Sequence, residues 1–277
     1  WHLRGHRPTF LDEFSQYVLE TCQTFKPDYL LVTGITPPGA AVLRAIQQMG
    51  ITTINYLTDD PWNKAQASEW FFKALPHYAA VYSPRRANIH DLRKLVAHVE
   101  YLPFAYDPVH HYPEAPPADM RAKLQCDVLF YGGADQDRIS YVEALVDAGI
   151  SVHIYGGYWK HFSKTLGSWR GVADYQTLRW AVASASLTLC LVRRANRDGH
   201  VMRSFEAPAM GACLLAEATD EHHELFGDDG AAVAYFQSEQ ELVARTQALL
   251  KDEALRRRLA QNAHQHITHQ PNTYQDR

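Results

Sequence analysis

The stretch between residues 193 and 217 carries the densest set of reactive side chains. It reads Arg-Arg-Ala-Asn-Arg-Asp-Gly-His-Val-Met-Arg-Ser-Phe-Glu-Ala-Pro-Ala-Met-Gly-Ala-Cys-Leu-Leu-Ala-Glu. An arginine-rich loop leads into a short helical segment over 204–210, which stops at Gly211 before the next apolar run. Arg203 and Glu206 are three positions apart, so a helix beginning near Met202 sets both on one face. A carboxylate beside arginines suits a ligand with ribose hydroxyls and phosphates. The carboxylate accepts from the hydroxyls, and a guanidinium grips phosphate oxygens with paired donors. Arg203 and Arg138 are the candidates for the phosphates and Glu206 for the ribose, with Asn196 and Ser204 counted in the same binding set.

Other candidates stand elsewhere. Gly132-Gly133 follows an apolar run and precedes a helical one, so its backbone either approaches a diphosphate at a helix N-terminus or simply makes a tight turn. Asp59-Asp60-Pro61-Trp62 ends a strand-like run, with Asp60 an acceptor-binding group or general base, or else a cap of the following turn. The doublets His110-His111 and His222-His223 point their neighbours in different directions and lack a third ligand at useful spacing. They are expected at the solvated surface rather than on zinc, and no metal site is expected. Tyr158 and Trp159 are expected to pack rather than stack on a base, and Arg256 to Arg258 to form a solvated helix face.

These residues need elements to hold them. With 46% hydrophobic and 21% charged residues the chain is globular, and its formal charge of -4 gives no basic field for nucleic acid. No apolar run is long enough to span a bilayer. Four scattered cysteines, Cys22, Cys126, Cys190 and Cys213, form no CxxC pair and read as buried, reduced thiols of a cytoplasmic protein. The chain opens on Trp1 rather than Met, which suggests that its N-terminus is missing.

Strand-like and helix-like runs alternate. Phe10, Phe14, Tyr17, Val18 and Cys22 predict an amphipathic helix over 10–25. Strands are expected at 29–32, 51–57, 79–83 and 99–102, with helices from 37 to 49 and 86 to 97. Prolines 103, 108, 113, 116 and 117 then interrupt the pattern and predict an extended crossing. A second series follows, with strands at 127–131, 152–155, 187–192, 212–216 and 231–236. Its helices are expected at 139–147, 175–184, 204–210, 239–250 and 253–267. Such alternation argues for parallel sheets. It divides the chain into an N-terminal Rossmann-like domain (1–106), a Pro-rich linker (107–124) and a C-terminal Rossmann-like domain (125–277).

Asn196, Asp198, Arg203, Phe205, Glu206 and Gly211 together resemble the C-terminal signature of the group 1 glycosyltransferases, and more closely that of the spore-protein CgeB-like glycosyltransferases. Flanking segments agree, among them Lys26-Pro27-Asp28, Asp59-Asp60-Pro61, Leu102-Pro103-Phe104-Ala105 and His223-Glu224-Leu225-Phe226. The resemblance runs from about residue 26 onward. It implies the GT-B type of α/β fold, two Rossmann-like domains facing across a cleft, here with a truncated N-terminal domain. Group 1 members commonly carry two glutamates eight positions apart. Glu206 matches the second, the ribose-binding one, while Asp198 stands at the first.

The resemblance implies transfer of a sugar from a nucleotide-diphosphate sugar to a hydroxyl of a glycan, protein or small-molecule acceptor. It also implies retention of configuration and no metal or other cofactor. Arg203, Asp60 and Asp198 are then the catalytic candidates. The alternative is a non-catalytic nucleotide-sugar or glycan-binding protein on a degenerate scaffold, which the departure at Asp198 favours.

Overall fold

The computed structural model describes residues 8–277. The chain divides into two units, one taking the chain up to Pro103 together with Arg194–Asp198, the other Phe104–Arg193 and Gly199–Arg277. The opening residues of the expected N-terminal domain, 1–7, lie outside the described residues.

The first unit runs α1 (Leu11–Phe25), β1 (Tyr29–Thr33), α2 (Ala40–Gln48), β2 (Thr52–Tyr56), α3 (Glu69–Ala74), β3 (Ala80–Ser83), α4 (Arg86–Leu92) and β4 (Val99–Tyr101). Its four strands are parallel, in the order β1-β2-β3-β4, with Leu31 opposite Ile54, Asn55 opposite Val81 and Tyr82 opposite Glu100. The core gathers Leu43, Leu57, Phe71, Leu75, Val81 and Leu92. The aromatic face expected of α1 is not the buried one, since Phe10, Phe14 and Tyr17 are 70%, 50% and 64% exposed. Leu11 and Ser15 turn inward instead, one residue round from the aromatics, while Cys22 of the expected face is buried as read. The small Ser15 permits close approach, its hydroxyl accepting from the Gly39 N–H at 3.0 Å.

The second unit runs α5 (Ala118–Leu124), β5 (Cys126–Tyr131), α6 (Gln136–Asp147), β6 (Val152–Tyr155), α7 (Tyr175–Ser184), β7 (Ala185–Cys190), α8 (Arg203–Ala209), β8 (Leu214–Glu217), α9 (Asp220–Phe226), β9 (Ala234–Phe236), α10 (Glu239–Lys251) and α11 (Glu253–Thr268). Its five parallel strands take the order β6-β5-β7-β8-β9. The chain thus steps from β5 to β6 on one side, then returns past β5 to lay down β7 on the other. Such a reversal opens a crevice at the C-terminal ends of β5 and β7. Val128, Phe130, Leu145, Ile154, Trp159, Leu189, Leu215 and Phe236 fill the core beneath it.

Helices α3, α5 and α9, of six or seven residues each, escape the periodicity argument, which needs a window of ten or more residues. Residues 118–124, expected to close the Pro-rich linker, are helical as α5. The preceding stretch is fastened to α7 by Glu114. Its carboxylate accepts from Arg179 Nε at 2.6 Å, Trp180 Nε1 at 3.0 Å and Gln176 Nε2 at 3.5 Å. All four cysteines are free and buried. Among the described residues, no helix is long and apolar enough to cross a membrane.

Candidate functional site

Helix α8 points its first turn at the crevice. Arg203, 6% exposed, donates through Nη2 to the Tyr131 carbonyl and through Nη1 to the Leu191 carbonyl at 3.5 Å. It therefore bridges the ends of β5 and β7 where the strand order reverses. Its guanidinium lies over the Phe130 ring, 4.5 Å from the centroid, and beside the Tyr131 ring at 4.9 Å. Its Nε–H is buried without a hydrogen-bond partner among the described residues, a cost the fold does not offset internally.

Two glycine turns bound the crevice. Gly132 has φ 148° and Gly156 φ 144°, values open to glycine and strained for other residues. A Cβ on Gly132 would meet Arg203 Nη2 at 2.5 Å, and one on Gly156 would run into the Gly132 carbonyl. The turns are tied together by Gly132 N–H to Tyr155 O at 2.8 Å and Ala134 N–H to Gly157 O at 3.0 Å. Gly133 has ordinary room for a Cβ, so only the first glycine of the expected pair is sterically required.

Helix α6 follows, capped by Asp135, whose carboxylate accepts from the Arg138 N–H at 3.1 Å. Arg138, also buried, donates to the Gly133 carbonyl at 3.3 Å and lies 3.3 Å from Asp135 Oδ2, which Arg193 Nε reaches at 3.2 Å.

Glu206, one turn beyond Arg203, has a side chain 16% exposed. Burial pushes its carboxyl up to about 7, and the Arg203 charge draws it back only in part. Burial and the Glu206 charge raise the Tyr131 hydroxyl well above its usual range. That hydroxyl is also buried with no hydrogen-bond partner among the described residues. Ser204 faces the other way. Its Oγ pairs with His222 Nε2 at 2.8 Å and accepts from the Val201 N–H at 3.1 Å, while His222 Nδ1 lies 2.7 Å from the Glu217 carbonyl. Ser204 thus anchors the start of α8 from beneath.

Asp60, Asn196 and Asp198 belong to the first unit, because residues 194–198 pack there. Asp60, 1% exposed, takes a bidentate grip from Arg197, Nε to Oδ2 at 2.5 Å and Nη2 to Oδ1 at 3.1 Å, and Arg197 Nη1 also reaches Asp91 at 3.0 Å. Asp198 pairs with buried Arg85, and Asn196 joins Asn63 at 2.6 Å and Asp59 at 3.1 Å. The structure therefore gathers Gly132, Gly133, Arg138, Arg203 and Glu206 in one unit, and Asp60, Asn196 and Asp198 in the other.

The histidine doublets are not both solvated, contrary to the sequence reading. His111 is 6% exposed and His222 fully buried, because of two adjacent side chains one turns inward and finds partners there. Arg197, which organises the acidic cluster, and His111, beside Glu206, were missed by sequence reasoning. A histidine inside a proline-rich stretch was the available signal for the latter. Trp159 does pack, fully buried, with Nε1 donating to the Gly132 carbonyl at 2.8 Å. Among the described residues no three His, Cys, Asp or Glu side chains converge for a metal ion.

A search of curated proteins gave no match. Among solved structures, the chain is similar to sucrose-phosphate synthase (tll1590) from Thermosynechococcus elongatus, at 17% identity and a TM-score of 0.71, covering 96% of this chain and 74% of that one. It is also similar to a glycosyltransferase from Rickettsia africae ESF-5, at 10% identity and 0.64, covering 100% and 80%. A third is the pneumococcal O-GlcNAc transferase GtfA in complex with UDP and GlcNAc, at 11% and 0.63, covering 92% and 56%. These likenesses establish the fold as GT-B, an α/β architecture with two parallel sheets. The profile of one family, described as glycosyl transferase-like, matches residues 138–277, just over half of the chain and the whole stretch from Arg138 through α8 to the C-terminus. The chain belongs to the glycosyl transferase-like family.

Proposed function

We propose that the protein transfers a sugar from a nucleoside-diphosphate sugar to an acceptor hydroxyl, as a CgeB-like member of its family. The observation that carries this reading is the first turn of α8. It sets a buried guanidinium with an unmet Nε–H beside a glycine turn at the strand-order reversal, and a carboxylate one turn on. Arg203, with Arg138, is suited to a diphosphate, and Glu206 to the two hydroxyls of a ribose. In the transfer, the bond from the anomeric carbon to the diphosphate oxygen breaks, its electron pair staying with the leaving group. A bond from the acceptor oxygen to that carbon forms, and the acceptor proton passes to an oxygen of the leaving diphosphate. Arginines can stabilise the growing diphosphate charge, so the reaction as proposed is metal-independent, with no cofactor. Retention of configuration belongs to the same proposal, as does a cytoplasmic setting, which the buried free thiols support.

UDP is a reasoned first probe, since one similar structure is a UDP complex. Calorimetry should find UDP bound by the wild type and bound more weakly by Glu206→Ala, by about 1.5–3 kcal/mol, the worth of hydrogen bonds to a charged group. Equal affinities would remove Glu206 from the site. One observation favours binding without turnover: both carboxylates considered for catalysis, Asp60 and Asp198, are held by arginines within the first unit. UDP binding with no release of UDP from any UDP-sugar and acceptor mixture would establish that second reading.

A further inference from the structure

His111 lies outside the stretch matched by the family profile, yet it reaches the heart of the site. It is 6% exposed, and its Nε2 stands 3.8 Å from Glu206 Oε1. Its other nitrogen is already committed, because Nδ1 accepts from the Asp107 N–H at 3.1 Å. An imidazole that accepts at Nδ1 carries its proton on Nε2. Burial also lowers its basicity, with His110 and Arg179 acting in the same direction and Asp107 opposing. The ring is therefore neutral, and its N–H sits on the nitrogen that stands 3.8 Å from the carboxylate, longer than a hydrogen bond but near enough for the N–H dipole to act on a buried charge. Tyr175 fixes its orientation, meeting it edge-on at 5.6 Å while stacking on His110 at 4.1 Å. The other ionisable groups acting on Glu206 are Arg203 from its own helix, the Tyr131 hydroxyl from the end of β5, and the Tyr274 hydroxyl from the C-terminal segment. Against two phenols and one guanidinium, an added neutral donor shifts the balance toward the carboxylate.

We propose that His111 is a positioning residue of the nucleotide site: its Nε2–H holds the Glu206 carboxylate ionised and aimed for hydroxyl donors, so that nucleotide affinity follows the charge on Glu206. This rests on the reading of Glu206 as the ribose-binding group. A carboxylate accepts from both hydroxyls of a diol, whereas a protonated carboxyl has lost part of that capacity. UDP affinity of the full chain should therefore be flat above neutral pH and fall as the pH drops through about 7. Without the donor the carboxyl is harder to ionise, so the fall moves to higher pH.

The experiment is UDP titration by calorimetry from pH 5.5 to 9 for the wild type, His111→Leu and His111→Gln. The leucine variant should show its midpoint raised by roughly one unit, and affinity several-fold lower at neutral pH that recovers in alkali. The glutamine variant, which keeps an N–H donor, should follow the wild type. A leucine variant that superimposes on the wild type overturns the proposal, as does a glutamine variant that shifts with leucine, since that outcome assigns His111 a packing role. Should the leucine variant fail to fold, nitrogen NMR of the wild type decides. The neutral Nε2–H tautomer between pH 6 and 8 supports the proposal, and the Nδ1–H tautomer overturns it. A wild type that binds no UDP at any pH sinks the reading of the nucleotide site instead. Carbon NMR of the Glu206 carboxyl, whose titration must still move up in His111→Leu, then tests the coupling by itself.

Discussion

Glu206 and Arg203 sit on one turn of α8, and burial treats them differently. The Glu206 carboxyl is pushed from its usual 4.5 up to about 7, with burial the larger effect. A folded-state value above the unfolded one means that the native protein holds this proton more tightly. The stability that Glu206 contributes is fully present below about 4.5 and is lost as the pH rises through about 7. Glu206→Gln, which never ionises, should accordingly be more stable than the wild type at pH 8, by up to about 3 kcal/mol from the size of the shift. The difference should vanish near pH 4.5. Thermal melts across that range check it, and a variant no more stable at pH 8 would mean that the carboxyl titrates like an exposed one. Arg203 is bound to two strand-end carbonyls and cannot be replaced by lysine in the same geometry. In the proposed transfer the diphosphate charge grows as the sugar leaves, so Arg203→Lys should lower kcat by a larger factor than it raises donor KM. Steady-state kinetics showing a change in KM alone would reduce Arg203 to donor binding.

Between elements, the two glycine turns and the Glu114 clasp matter most. Gly132→Ala places a methyl against Arg203 at a backbone angle strained for alanine, and should cost about 1–3 kcal/mol together with UDP affinity. Gly133→Ala, with ordinary space around its Cβ, should be much milder, and chemical denaturation of the pair reads the contrast. The sequence marked both glycines equally, because a doublet after an apolar run says that the chain turns and not which residue meets a neighbour. Glu114 is held below its usual range by Arg179, so its grip on α7 is present at neutral pH and lost as the pH falls. Glu114→Ala should release residues 104–117 from α7, and limited proteolysis should cut there earlier than in the wild type. Unchanged cleavage would show that Tyr106, bridged to Thr273, and buried His111 suffice to hold the segment.

Across the whole molecule, the first unit is discontinuous in sequence. Residues 194–198 supply Arg197 to Asp60 and Asp91, and Asp198 to Arg85. Removing Arg197 leaves Asp60 buried without its bidentate partner. Arg197→Ala should thus cost about 1–3 kcal/mol, and hydrogen exchange should quicken in β2, β3 and α4 but not in the core of the second unit. Uniform acceleration across both sheets would contradict this division. A fragment ending at Pro103 lacks the whole segment and should be less protected than the same residues in the full chain.

Alternation of apolar runs determined the parallel strands, because a buried strand must be apolar whatever lies beside it. The motif over 193–217 likewise marked Arg203 and Glu206, whose spacing of three is decided by the helix alone. Tertiary structure decided what depends on distant partners. It chose Leu11 and Ser15 over Phe10 and Phe14 as the buried face of α1, where the Ser15 hydroxyl accepts from the Gly39 N–H at the start of α2. It assigned Asp198 and Asn196 to the first unit although they precede α8 by a few residues. It also set His111 against Glu206 across 95 positions of sequence, a juxtaposition that no local spacing encodes.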